Sequence, residues 1–591
     1  MRFRYSFFIF FVLSFVIVAQ AQESEEITVD ELTAHIKYLA SDELEGRKPG
    51  TLGGKLAAEY IRNELKKNSI KLLGEDGFQN FDVLKGIEVG EGTKFLIGEK
   101  ELEFSKDYSL FPISSEGDAI SSTVFCGYGF SIDEENLNWN DYKDIDVTGK
   151  WVIVLRGAPI DSTGRFENYS ALRKKALTAK DNGAAGIIFV SGLQFDPDDE
   201  LVELDNSRES NVGIPVLQLK RNVLDEIFTE FEISVEQMEA FYAENLAPYS
   251  IALDIPFDIS VKIKKLTDKT QNIIAIVEGS DPVLKDEYII IGAHYDHLGM
   301  GGPGSGSRRP DTIDVHNGAD DNASGSAAIL EIIEKIQANA SEFKRSIIFV
   351  AFAAEEMGLL GSKYFTENPP VPLEKIKFMI NLDMVGRLNE EDKSISIGGT
   401  GTAVGLPELI NDVLNSYEMK ATLSPEGFGP SDHASFYAKD IPVMFLFTGI
   451  HDDYHTPEDD WDKLNFEGEK LVSDFAYSII ERISNLDLSL VYQEAGPKER
   501  SSETRKFKVT LGIMPDVAAS DSRGLRVDGV IKDRPAFYAG MRKGDVIISM
   551  DGKEVGDIYD YMNRLSSFKQ GQRITVEVLR GEEKVILIVE L

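Results

Sequence analysis

Residues 288–297 read YIIIGAHYDH, an apolar run that ends abruptly in His294, Asp296 and His297. Two later stretches repeat the pattern: residues 346–354 (SIIFVAFAA) run into Glu355-Glu356, and residues 377–382 (KFMINL) run into Asp383. Short, nearly continuous apolar runs of this kind fit strands buried on both faces of a largely parallel sheet. Between the first two, Ile329, Ile332, Ile333 and Ile336 form the stripe of an amphipathic helix. The expected fold is therefore α/β, a mostly parallel sheet flanked by helices. In such sheets sites form outside the carboxyl ends of the strands, and each of these three runs delivers a polar residue there.

Six of the seven histidines lie between His294 and His455, the exception being His35. In chain order the motifs are GAHYDH, GADDNASG, AFAAEE, INLDM, PSDHASF and DDYHTPED. Neutral imidazoles and carboxylates are the donors that a divalent ion such as zinc takes. Glu355 and Glu356 are consecutive, and consecutive side chains of a regular strand point to opposite faces. Both reach one site only if the strand has ended before them; otherwise they are a pair of solvated loop acids.

In order and local context these residues resemble the secreted dizinc aminopeptidases of the aminopeptidase Y and aminopeptidase S type. The resemblance spans residues 270–490 and also 30–70, through YLASDELEGRKPGT. It implies two divalent metals, zinc by preference. His294 and Asp383 would serve one ion, Glu356 and His455 the other, and Asp320, the first acid of GADDNASG, would bridge them. Asp296 would orient His294 without itself binding metal. Glu355 would be the general base, drawing the proton from a water shared by the two ions and passing it to the leaving amine. Asp432 and His433 are expected behind the ligands or in the substrate pocket, with a satisfied structural pair as the equal alternative. Phe428 stands where some relatives carry a tyrosine that contacts the reaction centre. His297, His316 and His451 receive no role. Arg308 and Arg309, in the glycine-rich loop 299–312, are read as solvating that loop, with a clamp for a substrate carboxylate as the alternative.

The remaining chain divides around this segment. Arg2 and Arg4, the apolar run Phe7 to Val18 and the triplet Ala19-Gln20-Ala21 form a signal peptide over 1–21. Export to a periplasm or extracellular space is expected, with no membrane attachment after its removal. Cys126 is the single cysteine, so no intrachain disulfide forms. Residues 22–104 and 256–493 are assigned to the catalytic domain. Residues 105–255, with GKWVIVLRG and NGAAGIIFV, resemble an inserted β-rich protease-associated (PA) domain, expected to wall or cap the cleft. Residues 500–591 resemble a PDZ domain, with Leu511, Gly512 and Ile513 in the loop that receives a peptide carboxylate; such a domain binds a peptide C-terminus or a partner protein as an added strand.

Formal net charge is −38, yet residues 501–591 hold 15 basic and 14 acidic residues, so the acidity lies upstream. Nucleic acid is excluded as a partner on this balance. Peptides are the expected substrates, cleaved from the N-terminus. A carboxypeptidase relative would need a basic clamp near the motifs, where only Arg308, Arg309 and Arg387 stand. Glutaminyl cyclase chemistry fits less well with all five ligands of a two-metal site present, and a non-catalytic receptor is expected to have lost ligands or base.

Overall fold

The structure is a computed structural model that describes residues 26–591 apart from 135–136, 162–163, 205–211, 497–508, 517–523, 531–533, 543, 556–560, 562–563, 566–567, 570 and 582. The expected signal peptide lies outside the described residues. Among the described residues no helix is long and apolar enough to cross a membrane. The chain divides into two units, residues 1–81 with 269–591, and residues 82–268.

In the first unit the three apolar runs are strands Tyr288–His294, Ser346–Phe352 and Ile376–Leu382, joined by Val443–Phe447. These four are parallel neighbours in the order 346–352, 288–294, 376–382, 443–447. Chain order and spatial order differ, and the reversal falls between the strand ending in His294 and the strand preceding Asp383. A crevice opens at such a switch point because the connections leave to opposite sides. Antiparallel strands complete the sheet at its margins. The expected isoleucine stripe lies on helix Gly325–Ala338, with Ile329, Ile332, Ile333 and Ile336 all fully buried.

The segment 27–72 forms two helices, Val29–Leu39 and Leu52–Lys67, capped at their N-termini by Thr28 and Thr51. Between them the chain turns sharply so that Arg47 enters the interior, 1% exposed. Its guanidinium donates to the carbonyls of Tyr295 (2.7 Å), Asn317 (2.6 Å), Gly318 (2.9 Å) and Leu39 (2.5 Å). One side chain thus ties the HYDH turn to the loop ahead of Asp320. Burial draws its pKa down to about 10, opposed chiefly by the charge of Asp321. Gly46 permits the turn: its φ is +66°, and a Cβ there would lie 2.5 Å from the carbonyl oxygen of Gly299. Arg47→Met is expected to destabilise this unit by about 3–5 kcal/mol, because four buried carbonyls lose a charged donor. A denaturation midpoint equal to wild type would show that water replaces the guanidinium.

The second unit is wider than the 105–255 read from sequence. Strand Phe257–Val261 pairs with Lys94–Ile97 on one side and Gly117–Ser121 on the other. The flanks therefore supply central strands of a four-stranded antiparallel sheet in this unit. Its other main sheet carries parallel strands Thr123–Phe125, Trp151–Leu155, Gly186–Val190 and Val216–Leu219. Cys126 is buried there. The C-terminal region of the chain forms its own antiparallel sheet, ordered 513–516, 525–530, 546–550, 573–580, 583–590. Strand Ile513–Asp516 has one paired neighbour among the described residues. Of the expected carboxylate loop, Leu511 is buried with its carbonyl bound by the Ala536 amide (2.8 Å), and Gly512 has φ +72° with its amide on Thr510 Oγ1 (3.0 Å).

Candidate metal centre

The polar residues at the carboxyl ends of the parallel strands converge on one acid, Asp321. His294 Nε2 lies 3.4 Å from Asp321 Oδ1 and 3.4 Å from Asp383 Oδ1. On the other side, His455 Nε2 lies 3.2 Å from Asp321 Oδ2 and 3.3 Å from Glu356 Oε2. Two donor groups lie here, His294–Asp321–Asp383 and His297–Asp321–Glu356, the donor atoms of each within 4.8 Å of one another, with His455 beside the second through Asp321 and Glu356. Donors bound about 2.0–2.2 Å from a common tetrahedral ion stand roughly 3.3–3.6 Å apart. The separations around Asp321 match that edge, and the donor set is the imidazole and carboxylate mixture that zinc takes.

The acid at the centre is not the one expected. Asp320 points away: its Oδ1 accepts from the Gly386 amide (2.7 Å) and Ser324 Oγ (3.2 Å), and its Oδ2 lies 3.2 Å from His451 Nε2. The backbone path decides between the neighbours. Residues 319–324 form a short distorted turn in which Asp321 has φ −104°, ψ 92°. Gly318, at φ +54°, leads into it, and a Cβ there would lie 2.1 Å from the Asp321 carbonyl oxygen. His297, given no role from sequence, is buried with Nδ1 2.8 Å from Glu356 Oε1. Glu356 therefore meets His297 through one oxygen and His455 through the other.

The strand before the glutamates does stop short of them. It ends at Phe352, and Ala354 adopts a left-handed φ of +58°. Both glutamates can then turn toward the crevice. The Glu355 amide donates to Asp296 Oδ1 (3.1 Å), the same carboxylate that lies 3.7 Å from His294 Nδ1. Glu355 is in neither donor group. Burial first, then the charges of Glu356, Asp432 and Asp383, push its carboxyl well above the usual range, against the pull of His294. Burial likewise raises Asp432 to about 7, so this acid, fully buried, belongs to the same electrostatic cluster.

The surplus of negative charge is visible on the imidazoles. Burial opposes protonation of His455, yet its hydrogen bonds to Asp321 and Glu356 carry the pKa up to about 11. His294 is shifted up in the same way, with Asp383 and Glu355 overcoming its burial. Several carboxylates packed out of water in this way call for cations, and divalent metal fits both donor groups. His433 behaves differently: burial lowers its pKa to about 3, and its ring stacks on Phe445 at 4.4 Å. It is a neutral packed ring, and Phe428 is partly buried against the neighbouring core.

The loop 299–312 is anchored on the site. His455 Nδ1 lies 3.1 Å from the Gly306 carbonyl, and the Arg308 amide donates to the His455 carbonyl (2.9 Å). His316 pins the same loop through Ser307 Oγ (2.8 Å). The Arg308 guanidinium reaches the carbonyls of Asp452 (3.4 Å) and Tyr454 (3.5 Å), and Arg309 pairs with Glu458. Arg387 holds Asp453 (2.9 Å) and Asp459 (3.0 Å). Arg308, Arg309 and Arg387 are thus each engaged within the protein. Tyr454, also missed from sequence, stacks on His455 with ring centroids 3.9 Å apart. Burial, then Asp321, Glu356, Asp383 and Glu355, push its phenol far upward, so it stays a protonated donor.

Residues 272–480 match the family model of peptidase family M28. The chain carries a peptidase M28 domain. Residues 121–227 match the PA domain and 506–591 the PDZ domain, so the M28 domain is joined to both modules expected from sequence. Similar proteins include the aminopeptidase YwaD of Bacillus subtilis, 26% identical over 61% of this chain and 66% of that protein. An aminopeptidase of Pseudomonas aeruginosa is 24% identical over 68% of this chain and 67% of its own length. A probable leucine aminopeptidase of Arthroderma otae is 30% identical, over 35% of this chain and 55% of its own. The chain spans just under two thirds of the first of these relatives and little more than half of the last. Among solved structures, BSAP, a zinc aminopeptidase from Bacillus subtilis, aligns at 20% identity over 80% of this chain and 98% of that one, with a TM-score of 0.46.

Proposed function

We propose that this M28 protein is an exported zinc exopeptidase that removes N-terminal residues from peptides. The observation that carries the reading is the pair of donor groups sharing Asp321, with an unligated Glu355 beside them. His294 and Asp383 would hold one ion and Glu356 and His455 the other, with Asp321 between them. His297 would fix Glu356 by its Oε1 and leave Oε2 toward His455. Divalent ions held there would supply Lewis acidity toward a water and the scissile carbonyl. Glu355, whose backbone amide is held by Asp296 Oδ1, would be the base that takes a proton from the attacking water and returns it to the leaving amine. The aminopeptidase names of the relatives point to the same end of the substrate, and the engagement of Arg308, Arg309 and Arg387 disfavours a carboxypeptidase.

The test is hydrolysis of aminoacyl-p-nitroanilides against N-blocked counterparts by the zinc-loaded and chelated chain. Cleavage of free-amine substrates alone, abolished by chelation and restored by zinc, is expected. Equal cleavage of blocked substrates, or activity confined to peptides with a free acidic C-terminus, would overturn the reading. Export rests on the leader sequence, and the mature protein is expected to begin at Gln22; Edman sequencing of the exported form checks this.

For the PDZ domain we propose an extended peptide C-terminus laid along strand Ile513–Asp516, whose position at the margin of its sheet suits strand addition. Fluorescence-labelled peptides with a free C-terminus are expected to bind, and their amidated forms to lose at least tenfold in affinity. Equal binding of both would exclude carboxylate recognition.

A further inference from the structure

The loop that follows His455 also supports the acid at the centre of the site. Asp459 is fully buried, and its Oδ2 accepts the amides of Asp320 (3.0 Å) and Asp321 (3.1 Å). Its backbone carbonyl accepts the amide of Ala319 (2.9 Å). Three consecutive amides therefore close on one residue. Its Oδ1 is held in turn by Arg387 Nη2 (3.0 Å), whose Nη1 is fixed on Asp453 (2.9 Å). On the far side of the turn, Asp320 is fastened by Gly386 and Ser324.

We propose that Asp459 is a positioning residue for the metal centre: it sets the backbone of Asp321 so that the two oxygens of that carboxylate face His294 and His455 on opposite sides. This inference rests on the metal reading given above. The physical reason is that an acid shared by two ions must hold both oxygens within a few tenths of an ångström. The turn 319–322 departs from helical backbone angles at Asp321 and Asn322. Charge-assisted hydrogen bonds to buried amides are short and strong, and partners outside the ligand set typically govern metal affinity by 10–100-fold. Because Asp459 lies four residues after His455, one segment supplies an imidazole that meets Asp321 and Glu356 and also the backbone support of the acid common to both groups.

The experiment uses the full chain and zinc alone as probe. Zinc affinity is read by competition with a chromogenic chelator, alongside thermal unfolding of the metal-free protein and steady-state kinetics. Asp459→Asn keeps an acceptor for the amides but turns an NH₂ group toward Arg387. It is expected to weaken zinc binding 10–100-fold and to lower kcat with little change in KM. Adding Arg387→Gln offers that NH₂ an acceptor and is expected to recover most of the zinc affinity. Arg387→Leu alone, which leaves Asp459 in place without its anchor, should show a smaller loss, up to about tenfold, and keeps the inference testable if the asparagine variant does not fold. Wild-type zinc affinity in a folded Asp459→Asn chain, or in Arg387→Leu if only that variant folds, would overturn the inference. So would a fall in metal-free stability with zinc binding unchanged, since that is the signature of structural support alone. If the wild-type chain binds no zinc, it is the metal reading that fails, and the two failures are thereby distinguished.

Discussion

Glu355→Gln should bind zinc as wild type does and lose about 10²–10⁴-fold in kcat, the contribution of a positioned general base. The carboxylate of Glu355 lies outside both donor groups, so replacing it with an amide of the same shape leaves the ions' ligands in place. Its backbone hydrogen bond to Asp296 is also untouched, because the amide N–H rather than the side chain makes it. What the glutamine lacks is a site for the proton. KM should change little, and metal content measured by atomic emission should match the wild-type chain. Undiminished turnover by this variant would eliminate Glu355 as base and leave Asp432, a fully buried acid of the same cluster, as the residue to examine. Loss of metal along with activity would mean that Glu355 is a ligand.

Asp321→Asn and Asp320→Asn should part company sharply despite their adjacency. Asp321 offers an oxygen to His294 on one side and to His455 on the other. Its loss should weaken both metal positions by more than the 10–100-fold typical of an outer hydrogen-bond partner and bring hydrolysis to background. Asp320 accepts the Gly386 amide and the Ser324 hydroxyl, contacts that the asparagine carbonyl can keep. The expected cost in zinc affinity and kcat is under tenfold. A reversed ranking, with Asp320→Asn the inactive variant, would restore the assignment read from sequence and displace the geometry of the turn.

Much of the peptidase unit was legible in the chain because burial on both faces writes a strand as an unbroken apolar run. Residues 288–294, 346–352 and 376–382 are such strands, and His294, Glu355-Glu356 and Asp383 follow from where the runs stop. The isoleucine stripe at 329, 332, 333 and 336 was equally plain, since a helix packed on a sheet must repeat its apolar residues at helical spacing. Less legible was the extent of the second unit. Lys94–Ile97 and Phe257–Val261 are more than 150 residues apart in sequence, and only their pairing assigns them to one sheet.

By itself the sequence determined the strands and helices of the peptidase core, the end of the sheet at which polar residues gather, and the chemical class of donors present. Each of these follows from local periodicity and residue type. The tertiary structure decided which of two adjacent acids faces the crevice, that His297 reaches Glu356, and that Arg47, Arg387 and Asp459 hold the turns around them. The physical reason is common to all of these. They depend on backbone angles and on hydrogen bonds between residues up to about 270 positions apart, such as Arg47 with Gly318, and no local pattern in a chain records them.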